Sequence, residues 1–429
     1  MKEILADIAN QNLGQALIRL WLLAESTVGG VQMLSTWLSA NDIARHEWSV
    51  KRLIECMDHG KQLEFEDLNQ SLALISALDQ QLALATLGAW RPGMAPALTL
   101  GDCTYWLVRR DIPPKPSTPA ERQNPNLEHW FRHFRVLPSR ITLGGAFIDV
   151  ELKTLGDVTP AGPRPATGPS RVHLSHFQDG VALRVKEDPA RNLFHALGLT
   201  DEVARADSLR MEFDFACEFG AQLWVAPELT VLASLRLEVA RWLVDLPGHE
   251  ARPLLSVPGS FHETVNGGQV NRAAVIDRAG KVVARHDKLT QFSYDSQGVT
   301  LTEDIRACRR IELLMTPIGV VGVAICKDFS DASSELVNAA WNLLAPDWLL
   351  VPSMGDQAST QKRHLERAEE HWKRRGIRSV VANQEAHIEG CALPPDPAPG
   401  FVCPAIGYAE GGSAAVAAGP RRIHIRRIK

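Results

Sequence analysis

The stretch Thr316–Asp331, TPIGVVGVAICKDFSD, restricts the fold more than any other part of the chain. Ile318, Val320, Val321, Val323, Ala324 and Ile325 make a short, nearly unbroken apolar run rich in β-branched side chains, the pattern of a strand covered on both faces. Cys326 stands at its C-terminal end. Lys327, Asp328, Ser330 and Asp331 then turn abruptly polar with helix-capping residue types, before helical spacing sets in over Glu335–Leu344. A thiol between a strand end and a helix start sits where backbone N–H groups and the helix dipole favour an anion. That placement predicts a lowered pKa and a nucleophile's position. The competing interpretation is a small buried hydrophobe, a common fate of free cysteine, so the residues that accompany Cys326 decide the matter.

At 429 residues the chain is long enough for two or three domains. Its 45% apolar and 22% charged content is that of an ordinary globular protein, and a net charge of −4 predicts no general affinity for nucleic acid or anionic membranes. The apolar segment Ala16–Ala24 is short, interrupted by Arg19 and preceded by Glu3 and Asp7, so neither a signal peptide nor a membrane span is indicated and a cytoplasmic protein is expected. The cysteines (Cys56, Cys103, Cys217, Cys308, Cys326, Cys391, Cys403) are scattered, odd in number and without CxxC spacing, which predicts reduced thiols rather than a disulfide framework or a zinc site.

Residues 1–95 carry helical periodicity. It runs through Ile4, Ile8, Leu13, Leu17 and Leu20, continues over Trp37–Met57, and ends in Glu66–Leu87 with Leu68, Leu72, Ile75 and Leu78 on one face. We assign residues 1–110 to a helical N-terminal domain. Residues 111–170 form a Pro-rich linker, with DIPPKPSTPAERQNPN and VTPAGPRPATGPS flanking a short helix over Leu127–Phe134 and one or two strands over Ile141–Leu152. His129 and His133 are four apart there, but with no third ligand evident they are assigned to a helix surface.

From Arg171 onward strands and helices alternate, the order of an α/β layered domain over 171–429. Strand material at Val172–Val185 precedes a helix at Asp201–Phe219 with Gly220 as its C-cap. A buried strand at Leu223–Ala226 is ended by Pro227 with Glu228 just beyond. A helix at Leu232–Leu243 and a strand at Pro253–Val257 come next. A hairpin follows, with strands at Asn271–Asp277 and Lys281–Arg285, and it leads into His286, Asp287, Lys288 and Leu289. Thr290–Arg306 reads as a polar loop carrying Glu303, Trp348–Val351 as a strand, Gln361–Arg375 as a helix and Ser379–Asn383 as a strand. The basic end Arg421–Lys429 lacks the interleaved aromatics of a nucleic-acid surface and reads as a solvated strand face. His262, His286, His364 and His371 share no ligating spacing and are assigned structural or surface roles.

Glu228, Lys288 and Cys326 thus all stand at strand ends, where open α/β folds gather a site, and a carboxylate, an ammonium and a thiol suit nucleophilic acyl chemistry. With WVAPE around Glu228, ARHDKL around Lys288 and GVVGVAICKDF around Cys326 in this order, residues 171–425 resemble the carbon–nitrogen hydrolase (nitrilase) superfamily. The hairpin NRAAVIDRAGKVVARHDKL and the late strand SVVAN fit the same resemblance. The pattern departs at Lys327, where many relatives have an aromatic, and at FSDASSE, which lacks a common Pro-Glu pair. A second family glutamate falls on Glu303, with Glu312 and Asp304 as rivals.

The resemblance implies a four-layer α-β-β-α sandwich, to which the helical N-terminal domain read from periodicity is an addition, and a homo-oligomer. It also implies a Cys thioester mechanism on a small amide or nitrile, with no metal or organic cofactor. In that mechanism Glu228 is general base, Cys326 nucleophile, Lys288 and the Lys327 backbone N–H oxyanion donors, and Glu303 orients water or Lys288. The family's acyltransferases carry membrane spans and its ammonia-supplying members a synthetase domain, and neither role is expected here, because residues 1–429 show no pattern of either. The alternative from another class is a ligand-sensing or scaffold protein that uses the hydrolase fold and signals through the N-terminal helices.

Overall fold

The computed structural model describes residues 2–10, 12–26, 78–84, 96–110, 133–155, 171–177, 181–248, 252–330, 334–355, 357–384, 386–388, 400–403 and 414–415. The expected helix at Trp37–Met57, both Pro-rich runs, His129 and the basic C-terminus lie outside them. The chain divides into two compact units, Met1–Arg140 and Ile141–Lys429.

In the first unit, α1 (Lys2–Ala9) and α2 (Leu13–Ser26) pack through Ile4, Ile8, Leu17 and Leu20, and residues 78–84 are also helical. This unit is not helical throughout. β1 (Ala97–Leu100), β2 (Cys103–Arg109) and β3 (Phe134–Pro138) form an antiparallel sheet of order β1-β2-β3. The expectation of a purely helical 1–110 is corrected there, and Phe134 lies in a strand rather than in a helix. The physical reason is the β-branched and aromatic content of Thr104–Val108 in a central strand, where the successive residues Leu107 and Val108 are buried on opposite faces.

The second unit runs β4 (Arg140–Leu143), β5 (Ala146–Thr154), β6 (Val172–Leu174), β7 (Val181–Asp188), β8 (Leu193–Leu199), α3 (Glu202–Glu218), β9 (Leu223–Glu228), α4 (Ala233–Asp245), β10 (Leu255–Val265), β11 (Gly268–Asp277) and β12 (Val282–Asp287). It continues with β13 (Ser293–Ser296), β14 (Val299–Glu303), β15 (Arg310–Thr316), β16 (Gly319–Val323), α5 (Lys327–Ser330), α6 (Glu335–Leu344), β17 (Trp348–Met354), α7 (Gln357–Arg375), β18 (Arg378–Gln384), β19 (Ala386–Ile388), β20 (Phe401–Cys403) and β21 (Ala414–Ala415). Three mixed sheets result, of orders β12-β11-β10-β9-β6, β13-β14-β8-β7-β19 and β21-β20-β18-β17-β16-β15-β5-β4.

The first and third of these sheets share one apolar core. Val225, Val257, Val275 and Ala284 come from one sheet, and Leu314, Val321, Val323, Leu350, Val380 and Ala382 from the other. Buried runs such as LWVAPE and GVVGV are hydrophobic at successive positions because both of their faces are covered. Leu209, Phe213 and Ala216 of α3 and Val239 and Leu243 of α4 pack with Trp224, Ala226 and Ile276 on the other face of the first sheet. Trp341 of α6 lies against the third sheet, at the position of Gly322 between Leu313 and Leu349.

Several elements differ from the sequence reading. The strands expected over Ile141–Leu152 form as β4 and β5, but β5 pairs in parallel with β15, from Arg310↔Asp149 to Met315↔Thr154, so they belong to the eight-stranded sheet rather than to a linker segment. β8 was not anticipated. Thr290–Arg306 is not a loop throughout: it contains the β13–β14 hairpin, closed by Gln297 (φ 50°) and Gly298 (φ 82°), and it presents Glu303 at the end of a strand. Asp201 caps α3 by accepting from the Ala204 N–H, and Gly220 (φ 66°) follows its end, as its sequence predicts.

Candidate active site

The four side chains singled out in the sequence belong to three strand ends and one turn. Glu228 ends β9, Lys288 follows β12, Glu303 ends β14 and Cys326 follows β16. Pairing of β10 with β9 on one side and β11 on the other sets Glu228 and Asn271 within reach of one another, with Ser260 opposite Glu228 in register. Lys288 leaves the sheet beside Asn271, whose carbonyl accepts from the Lys288 N–H at 2.8 Å. Gly259 lets these strands close up. It has φ 65°, and a Cβ there would stand 2.4 Å from the Pro227 carbonyl oxygen.

The Lys288 ammonium donates to Glu228 Oε1 at 2.8 Å and to Glu303 Oε2 at 2.8 Å. Asn271 Nδ2 bridges the same two carboxylates, at 2.9 Å to Glu228 Oε1 and 3.0 Å to Glu303 Oε1. Glu303 also accepts from the Phe292 backbone N–H at 3.0 Å and from His262 Nε2 at 2.8 Å. The His262 tautomer is fixed from behind: its Nδ1 accepts from the Ala196 N–H at 3.1 Å, so Nε2 carries the proton. All three charged groups are buried, and Lys288 is only 2% exposed. Isolated charges at such depth are prohibitively costly, so this mutual pairing is what makes the cluster possible. Glu312 instead bonds Lys153 at 2.7 Å and the Arg285 N–H at 2.9 Å, and Asp304 makes no bond to Lys288, so Glu303 is the second carboxylate of this cluster.

Cys326 is held in the left-handed region, with φ 45°, at the turn from β16 into α5. Non-glycine residues in that region carry strain of about 1–3 kcal/mol and persist where surrounding bonds over-determine them. Here the Cys326 N–H donates to the Pro352 carbonyl at 2.9 Å, its own carbonyl accepts from the Phe329 and Ser330 N–H groups, and Sγ donates to the Met354 carbonyl at 3.4 Å. The sulfur also lies within electrostatic reach of the Glu228 carboxylate, which opposes ionisation of the thiol.

Asp328 ties the Cys326 turn to the loop that carries Lys288. Its carboxylate accepts from the Leu289 and Thr290 N–H groups at 3.0 and 2.8 Å and pairs with His286 Nε2 at 3.0 Å. Trp341 Nε1 donates to the Asp328 carbonyl at 3.1 Å.

The electrostatics follow from one positive and two negative charges in a dry site. Burial raises the Glu228 pKa, and the Glu303 anion adds to this against the opposing pull of Lys288. Glu303 is also subject to burial, but Lys288 and His262 outweigh it and hold its carboxyl well below the usual range. Burial acts on Lys288 in the opposite sense, yet the two carboxylates keep the ammonium firmly protonated. Burial, with the Glu228 charge behind it, pushes the Cys326 thiol up to about 12. The sequence-based expectation of a lowered thiol pKa is therefore corrected: desolvation and a neighbouring anion outweigh the short turn's dipole. Such a site holds a neutral thiol beside a proton acceptor.

His262, Asn271 and Asp328 were missed as site residues. Spacing carried no signal for the histidine, but Asn271 opens the hairpin strand and Asp328 lies two residues past the cysteine, so both stood inside stretches already singled out. His262, His286, His364 and His371 are all buried, which removes the surface alternative for them. Among the described residues no group of three or more His, Cys, Asp and Glu side chains is placed to hold a metal, and no helix is long and apolar enough to cross a membrane.

No protein-family model and no curated protein matches the chain. Among solved structures it is similar to the glutamine-dependent NAD+ synthetase from Acinetobacter baumannii, with TM-score 0.40 and 16% identity over 55% of this chain and 41% of that one. It is also similar to an amidase from Nesterenkonia sp., with TM-score 0.38 and 16% identity over 62% of this chain and 93% of that one. A variant of that amidase, described as from the nitrilase superfamily, gives TM-score 0.39 and 17% identity over 62% and 93% of the two chains. The chain spans about two-fifths of the synthetase's length. At this level of likeness, it is the geometry of the four side chains that carries the functional reading.

Proposed function

We propose that the protein is a thiol-dependent hydrolase of a non-peptide carbon–nitrogen bond, an amidase-type member of the carbon–nitrogen hydrolase superfamily with its α-β-β-α layering. The observation that carries this reading is the Lys288 ammonium, bonded at 2.8 Å to both Glu228 and Glu303 beside a cysteine held at φ 45° on a strand-to-helix turn. The substrate is a small amide, with a nitrile as the less common case.

Glu228 takes the proton from Cys326 as the sulfur attacks the substrate carbon, which forms the C–S bond and moves an electron pair onto oxygen. Lys288 and the Lys327 backbone N–H face that developing charge, and such preorganised donors are typically worth about 3–4 kcal/mol each. The tetrahedral intermediate collapses, the C–N bond breaks, and the proton on Glu228 passes to the departing nitrogen. Water then attacks the thioester carbon and gives its proton to Glu228. The C–S bond breaks, the acid leaves and the thiol recovers its proton. The raised pKa of Glu228 suits this two-way traffic, because a carboxyl above its ordinary range holds a proton more readily once it has accepted it and can return it to the departing nitrogen. Glu303 keeps Lys288 charged and fixed, and His262 and Asn271 keep Glu303 fixed.

The test is ammonia or amine release from a panel of small aliphatic and aromatic amides and nitriles. Turnover that Cys326→Ala abolishes supports the reading, and turnover that survives the substitution refutes it. The same reading places the protein in the cytoplasm as a homo-oligomer. Sedimentation of the purified chain checks the second point, and a monomer at micromolar concentration contradicts it.

A further inference from the structure

Two imidazoles follow one another outward from Glu303. His262 Nε2 stands 2.8 Å from Glu303 Oε1, and His262 Nδ1 stands 2.9 Å from His195 Nδ1. The two rings are 4.7 Å apart between centroids and tilted by 31°. Glu303 and His262 are buried whereas His195, on β8, is half-buried, so the chain of contacts runs from the charged cluster towards solvent. The strands account for this placement. β14 pairs with β8 through Thr302↔Leu193 and Glu303↔Phe194, and just beyond, the β7–β8 register shifts so that Leu197 is left unmatched between Ala196 and Gly198. Bulges of this kind re-aim ladder groups next to sites, and here the Ala196 N–H donates across to His262 Nδ1 at 3.1 Å, beside the His195 ring.

The protons of the chain can be assigned one by one. The Glu303 carboxylate only accepts, so His262 Nε2 carries a proton. The Ala196 N–H points at His262 Nδ1, so that nitrogen carries none. His195 Nδ1, 2.9 Å from the same bare nitrogen, must then be a donor, because two lone pairs at that distance would repel. Burial and His262 lower the His195 pKa, Lys186 of β7 adds to this, and Asp304 and Glu303 oppose it. The ring is therefore neutral near pH 7, and in acid it takes up its second proton on Nε2, which leaves the Nδ1 donor in place.

We propose that His195 is a positioning residue that acts on Glu303 through His262: its Nδ1 proton, together with the Ala196 N–H, holds His262 Nδ1 as an acceptor and so commits the His262 Nε2 proton to Glu303. In the other tautomer Nε2 would face Glu303 Oε1 lone pair to lone pair, and Glu303 would lose one of the donors that keep it charged beside Lys288. The assignment of protons stands on geometry alone, and its effect on turnover rests on the hydrolase reading above.

Selective nitrogen-15 labelling of histidine in the full chain tests this. Long-range proton–nitrogen correlation spectra near pH 7 show which ring nitrogen carries a proton and need no substrate, and His195→Leu and His262→Gln assign the two signals. The wild-type protein is expected to show His195 protonated on Nδ1 and His262 on Nε2. His195→Leu removes one of the two donors to His262 Nδ1. It is expected to release part of His262 into the other tautomer and to lower kcat on a turned-over amide by about three- to tenfold, the size of one hydrogen bond. KM is expected to stay within about twofold, because His262 and Glu303 separate His195 from Lys288. His195→Asn, whose amide NH2 takes the place of Nδ1, is expected to recover most of the loss. The proposal is overturned if wild-type His195 carries its proton on Nε2 alone, if His195→Leu leaves the His262 signal and kcat unchanged, or if His195→Asn does no better than His195→Leu. Should His195→Leu not fold, the wild-type spectrum and His195→Asn decide. Absence of amide turnover in the wild-type protein would refute the hydrolase reading, while the spectra would still decide this one.

Discussion

At the residue scale the site works as a charge balance, and its predictions concern single protons. Glu228→Gln removes the proton acceptor and is expected to lower kcat by about 10²- to 10⁴-fold with a smaller effect on KM, a split that steady-state kinetics on any turned-over amide checks. The acid limb of kcat/KM reports Glu228, because only its carboxylate form accepts the thiol proton, and burial places that limb above the ordinary 4.5. Glu303 contributes to the upward shift through its negative charge. Glu303→Gln is therefore expected to move the acid limb to lower pH even as it slows turnover, and a limb that stays in place or moves up contradicts the assignment. The sequence made the acid, the amine and the sulfur visible because each closes a distinctive strand. It misjudged the thiol's pKa, since burial depth and the distance to Glu228 depend on β9 and β16, which lie far apart in the chain.

At the scale of elements, two connections hold the site together. Gly259 allows β10 to approach Pro227, and with φ 65° and the Pro227 oxygen 2.4 Å from a would-be Cβ it tolerates no side chain. Gly259→Ala is expected to cost about 1–3 kcal/mol and to displace Glu228, whereas Gly298→Ala, which meets no atom within 4 Å, costs only the turn's φ preference. Urea unfolding with a parallel activity assay separates the two. Asp328 joins α5 to the loop after β12, and Asp328→Ala leaves the Leu289 and Thr290 N–H groups without their acceptor. A loss of about 3 kcal/mol is expected by denaturant titration, with loss of activity, and an unchanged midpoint would remove Asp328 from this role. Buried elements such as β9, β16 and α6 were readable from their apolar runs. The β13–β14 hairpin was not, because its strands are short, polar and half-buried, and only Gln297-Gly298 marks the turn.

At the scale of the whole molecule, nothing in the residue pattern pointed to an extension of the hydrolase-like unit upstream of residue 171. Yet β4 and β5 lie in the eight-stranded sheet of the second unit, and β5 pairs along six residues with β15. The Pro-rich runs masked this, because a linker composition on either side makes a short amphipathic strand between them look incidental. A fragment beginning at residue 140 is expected to fold cooperatively, and one beginning at residue 171, which leaves β15 as an unprotected sheet edge, to aggregate or melt at lower temperature. Circular dichroism melts of the two fragments check this. The central claim, that Glu228, Lys288, Glu303 and Cys326 form one hydrolytic centre, is tested most directly by intact-mass and peptide-mapping analysis of the full chain mixed with small amides and nitriles. A substrate-derived acyl adduct confined to Cys326, trapped on rapid acid quench, is the predicted result. A folded protein that turns the substrate over with no adduct at Cys326, or that neither labels nor hydrolyses any of the panel, would contradict the account.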